Sequence, residues 1–207
     1  MVSILNKNLR CLYPSRVFFN IAISLISIFV PIYFYQLGFS IEKIILFFFL
    51  IAFYFFIINL FTYKLILNLG IKYSILLSAP FTVMYYLGLN YIQSYPFLFF
   101  VLPFLTSMSE ALLWVAYDLY FIKSSRKNFR GRQVSYIYVL NVITSIIGPL
   151  MGSILIFNYG YSFTYIIGAA LAILSSFPLF ISGNFNEKYN FNYRSLFKYL
   201  FNKKNLG

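Results

Sequence analysis

Two acids set in apolar sequence are the residues best placed to do chemistry. They fall in Thr106-Ser-Met-Ser-Glu110-Ala-Leu-Leu-Trp114-Val-Ala-Tyr-Asp118, where a four-residue spacing puts Thr106, Glu110, Trp114 and Asp118 on one face of a helix. A carboxylate at membrane depth costs at least a few kcal/mol, so it faces a partner, the interior of a bundle or a water-filled cavity. Two readings of Glu110 stand side by side. In one it lines a cavity and binds a proton or a cationic group of a solute; in the other it is a structural acid, hydrogen-bonded to a Ser, Thr or Asn of a neighbouring helix. Asp118, nearer the helix end and within reach of Lys64, Lys72, Lys123 and Arg126, reads better as a gating or structural ion pair.

Catalysis finds little support. The chain has no histidine and a single cysteine, Cys11, which removes Ser-His-Asp and Cys-His nucleophiles, His-ligated zinc and an intrachain disulfide. Glu110 and Asp118 are about 12 Å apart by helical rise, too wide for a shared proton or a two-metal site. No catalytic residue, metal or cofactor is expected, and an intramembrane enzyme is the weakest of the functional alternatives.

The elements that must position these acids follow from composition. Of the 207 residues 61% are hydrophobic and 10% charged, against about 45–50% and 25% in soluble domains, so the chain is a membrane protein. Apolar runs near 20 residues predict an all-α polytopic bundle over 1–182. Its six spans lie at about 14–36, 41–65, 73–91, 96–122, 133–157 and 162–182. Gly38 with Ser40 and Glu42, the Asn68-Leu69-Gly70 segment, Pro96 and Asn158-Tyr159-Gly160 supply the punctuation. Glu110 then lies near the bilayer midplane. Asn20, Asn59, Thr62 and Asn141 add amides and a hydroxyl inside spans, where interhelical hydrogen bonds are the default reading. Residues 1–16 do not resemble a cleaved signal peptide.

Charge gives orientation. Lys and Arg number 16 against 4 acids, and every one of the 16 except Lys43 falls at or before the start of the first span, in or flanking the second loop, in the fourth loop, or in the tail at 183–207. That asymmetry predicts cytoplasmic termini and a cytoplasmic tail. It also argues against nucleic acid as a partner, because the charges are spread over several loops at a bilayer surface.

The most specific spacing lies in the fifth span. In Thr144-Ser-Ile-Ile-Gly148-Pro149-Leu-Met-Gly152-Ser153, small residues recur every four positions and let another backbone approach, while Pro149 favours a kink. This run resembles the fifth-helix antiporter motif of the major facilitator superfamily, matching it at Gly148, Pro149 and Gly152 with Thr144 and Ser153 in place of glycines. The Leu37-Gly38-Phe39-Ser40 turn, Arg130-Gly131-Arg132 and Tyr159-Gly160-Tyr161 agree with the same family. Its loop signature between the second and third helices is represented by Gly70 and Lys72 only, and the signature's acid is lost.

The resemblance implies the N-terminal half of a secondary transporter, six helices arranged as two inverted three-helix repeats, in the plasma membrane. It implies that Glu110, Trp114, Thr106 and Asn20 face a small solute or proton, with proton-linked efflux as the lean. Asp118, Gly70, Lys72, Arg130 and Arg132 would serve the gate, with Asp118 and Lys72 or Lys64 standing in for the missing latch. The implied partners are the solute, the lipid bilayer and a second six-helix half, present as a C-terminal continuation or a homodimer mate. Residues 183–207, rich in Phe and Tyr among basic residues, would be an amphipathic linker between halves. A non-transporting membrane subunit or scaffold is the alternative.

Overall fold

A computed structural model describes residues 7–125 and 127–182; the expected tail at 183–207 and Arg126 lie outside the described residues. The described residues form helices and turns with no strand, in the order α1 (Lys7–Ser27), α2 (Val30–Gln36), α3 (Ile41–Leu69), α4 (Ile71–Leu89), α5 (Leu98–Ser124), α6 (Arg130–Leu174) and α7 (Phe177–Phe180). Four helical stretches are long and apolar enough to cross a bilayer: Lys7–Gln36, Ile41–Leu69, Leu98–Ser124 and Arg130–Phe180.

The helices do not divide the chain as the six expected spans do. α1 begins at Lys7 rather than near 14, because Leu9 and Leu12 are fully buried and draw the polar opening into the bundle. α3 and α4 are joined by Gly70 alone (φ 93°), whose N–H closes α3 on the Ile66 carbonyl at 2.8 Å and whose own carbonyl receives the Ser74 N–H at 3.0 Å. Glycine meets no steric penalty at that φ. The segment expected at 133–157 and the greater part of that expected at 162–182 run through α6, broken only at Gly160, where φ is 81° and ψ 175°.

Packing shows what Gly160 does. A Cβ on Gly148 would collide with Ser24, and one on Gly168 with Ile26, so positions twenty residues apart in α6 touch the same level of α1. A straight helix would separate them by about 30 Å. The chain therefore doubles back at Gly160, its first leg parallel to α1 (Gln133 beside Tyr13, Asn141 beside Asn20, Gly152 beside Leu25 and Phe29) and its second leg antiparallel. Pro149 lies within the helical first leg; the non-helical residue inside α6 is Gly160.

Two apolar clusters hold the bundle. One gathers Leu9, Leu12, Phe19, Ile66, Ile75, Tyr117, Tyr120 and Leu179 at the end where the chain begins. The other gathers Ile26, Phe34, Phe47, Tyr86, Leu89, Leu102 and Tyr165 toward the opposite end. Between them α4 and α5 are stitched by hydroxyls: Ser109 donates to the Ser78 carbonyl at 2.9 Å and shares a 2.6 Å hydrogen bond with Thr82.

Candidate functional site

α5 carries the site, and its neighbours shape it. A cavity of about 200 Å³ opens beside Glu110. Thr82, Tyr85 and Tyr86 of α4 and Thr106, Ser109 and Glu110 of α5 make its polar side; Phe19, Ile23 and Ile26 of α1 with Phe48 and Ile51 of α3 make its apolar side. Tyr86 is fixed by donating to the Ala22 carbonyl at 3.0 Å. Ser107, on the flank of α5, donates to the carbonyls of Pro103 at 2.7 Å and Ile51 at 2.8 Å, tying α5 to α3. The Glu110 carboxylate makes no hydrogen bond or ion pair among the described residues. Its side chain is among those that line the cavity.

Trp114 and Asn20 line a second cavity, of about 220 Å³, with Ser24, Asn141, Thr144 and Ser145. Ile23 contributes to both cavities. Asn20 donates to the Asn141 side chain at 2.5 Å, and Ser24 bonds to the Asn20 carbonyl and to the Thr144 carbonyl at 3.1 Å, so these polar groups stitch α1 to α6. The four residues expected to face a solute are thus divided, Thr106 and Glu110 at one cavity and Trp114 and Asn20 at the next.

Asp118 departs from expectation. It forms an ion pair, but with Arg16 at 3.9 Å rather than with Lys72 or Lys64, and its side chain is 72% exposed. The reason is geometric: Ser15 bonds to the Tyr117 hydroxyl at 2.8 Å and brings the start of α1 against this turn of α5. Lys72 points elsewhere, donating to the carbonyls of Phe180 at 3.3 Å and Ser182 at 2.9 Å at the end of α7. Arg130 reaches back to the end of α5, donating to the Ser125 hydroxyl at 2.9 Å and the Ile122 carbonyl at 3.4 Å; Arg132 is exposed.

In the fifth-span motif, Thr144, Gly148 and Gly152 are buried against α1, and a Cβ on Gly152 would meet the Leu25 carbonyl. Ser153 is exposed and donates to the Leu150 carbonyl at 2.9 Å, outside that contact. Pro149 is half-buried.

The residue that sequence reasoning missed is Arg16. Counted there only as an orienting charge, it is 12% exposed, with its guanidinium 5.1 Å from the Trp114 ring centroid and 5.6 Å from that of Tyr117. The available signal was its place just inside the first apolar run, four residues before Asn20. Thr82, Tyr85, Tyr86 and Ser109 were also missed, because single hydroxyls in an apolar helix are common packing residues.

Comparison with known proteins adds one finding. The family model described as Major Facilitator Superfamily matches residues 12–204. No curated protein matches the chain.

Proposed function

Because the chain belongs to the Major Facilitator Superfamily, a family of membrane transporters rather than enzymes, we propose that it moves a small solute by alternating access, with Glu110 as the proton or cation site. One observation carries this reading: Glu110 faces a cavity between α1, α3, α4 and α5 and has no bonding partner among the described residues. A carboxyl so placed is stabilised by taking up a proton or a cationic group, and the uptake is reversible. Thr106 offers a hydroxyl in the same cavity, and Phe19, Phe48, Tyr85 and Tyr86 line it with aromatic rings, a lining that suits a cation.

The reversal at Gly160 supports six membrane passes, read as two inverted three-helix repeats. Rocking would use the close α1–α6 contact at Gly148 and Gly152. The gate is assigned to the end of the bundle where Arg16 meets Asp118, Lys72 holds the end of α7 and Arg130 closes the α5–α6 turn, with Gly70 as the joint between α3 and α4. We place the termini in the cytoplasm and the protein in the plasma membrane. The broad exposed apolar faces of α3 and α6 suit lipid and a second six-helix unit, from the same or a second chain.

Proteoliposomes holding the full chain test the reading. A pH gradient should drive movement of at least one of a panel of small amines and cationic dyes, and Glu110→Gln should slow it at least tenfold. An unchanged rate in Glu110→Gln removes the coupling role.

A further inference from the structure

Ionised Glu110 would be an uncompensated charge. No Lys or Arg lines its cavity, the α1 and α3 walls are apolar apart from Ser27, and the titratable groups facing it are the phenols Tyr85 and Tyr86 of α4. The nearest cation in register is Arg16. On α5 the residues Glu110, Trp114 and Asp118 follow one another by single turns on one face, and Arg16 lies over the middle one while paired to the last. α1 runs antiparallel to α5 here, so Phe19, one turn beyond Arg16, already lines the Glu110 cavity.

The present hold on Arg16 is loose. Its ion pair is one Nη1–Oδ1 approach at 3.9 Å, the limit for such a contact, to a carboxylate that is 72% exposed. Arg16 Nε is buried and has no hydrogen-bond partner among the described residues, although a guanidinium carries five donors. The other groups facing Arg16 are Tyr117 of α5 and Tyr138 of α6, neither of them a carboxylate. The Trp114 face holds the cation without fixing its direction.

We infer that Arg16 is the exchangeable counter-charge of Glu110, paired with Asp118 while Glu110 is protonated and moving past Trp114 to Glu110 when that proton leaves. The inference rests on the reading of Glu110 as a proton site. It assigns Arg16 and Asp118 as positioning residues that set when Glu110 ionises. The charge balance is simple: one proton departs, one carboxylate appears, and one guanidinium transfers its pairing from Asp118, whose carboxylate is exposed.

The test needs no solute. In the full chain in nanodiscs, the infrared band of protonated Glu110, assigned by its loss in Glu110→Gln, is titrated against pH; emission from Trp114, the single tryptophan, is followed in parallel. Wild type should show both signals changing with one midpoint. Removing a cation disfavours the carboxylate, so Arg16→Gln should raise the Glu110 midpoint by about two pH units, the scale of two unit charges about 5 Å apart at an effective dielectric near 20. It should also flatten the Trp114 titration. Asp118→Asn, which releases Arg16, should lower the midpoint, and Arg16→Lys should restore it to within about half a unit of wild type. A Glu110 band that titrates with an unmoved midpoint in Arg16→Gln, or in Asp118→Asn should the first variant not fold, overturns the inference and leaves the Glu110 reading intact. Absence of any titrating band lost in Glu110→Gln overturns both.

Discussion

α3 and α5 are near twins by length, 29 and 27 residues, and both are runs of Leu, Ile and Phe, yet they occupy opposite positions in the bundle. α5 buries residues along its whole length and touches α1, α3 and α4; α3 buries Phe47, Thr62 and Ile66 and leaves Phe49, Phe53, Phe56 and Phe61 exposed. Both are apolar enough to cross a bilayer, α3 the more so. α5 carries Ser107, Ser109, Ala111 and Ala116, whose small side chains let neighbours approach, whereas α3 presents bulky rings on most of its circumference. In a bilayer an apolar ring loses nothing by staying outside, so helix position is decided by small and polar residues.

Substitutions can break or sharpen this contrast. The largest effect should come where a small residue meets a backbone: Gly152→Val places methyl groups against the Leu25 carbonyl and the Phe29 ring and should abolish recovery of folded protein, while Ser153→Val, one residue on and exposed, should not. Monodisperse yield in mild detergent reads both. On α5, Ser109→Leu overpacks the α4 contact and removes the hydroxyl shared with Thr82, which keeps its 3.2 Å bond to the Ser78 carbonyl, and should cost about 3 kcal/mol in a detergent unfolding titration. Ser107→Ala removes the hydroxyl that bridges to the Ile51 carbonyl and should cost about 0.6–1 kcal/mol by the same measurement. Smallest of all, Phe56→Leu on the open face of α3 should stay within about 0.5 kcal/mol of wild type. A large loss there would mean that α3 is packed against something in the chain after all.

The same contrast explains what could be read in advance. Helical class, membrane residence and family were legible, because long apolar runs and the Thr144–Gly148–Gly152 spacing are local patterns that survive without knowledge of neighbours. Gly160 was legible as a turn for a similar reason, since the chain must reverse somewhere inside a run too long for one bilayer crossing. Partner choice was not legible. The pairing of Asp118 with Arg16 depends on how far α1 slides along α5, which Ser15 and Tyr117 fix across 102 positions of sequence. The separation of Asn20 and Trp114 from Glu110 depends on where Asn141 falls opposite α1. Arg16 itself was hidden by its type, since a basic residue near a span end reads first as topology.

Gly70 has a consequence in degrees of freedom. Its N–H ends one helix and its carbonyl begins the next, so α3 and α4 share a residue and have no slack between them. Any relative motion of the two must pass through the two torsions of that glycine. Tyr85 and Tyr86, about four turns along α4, would then swing on a lever some 20 Å long, so that a few degrees at Gly70 become ångströms at the cavity wall.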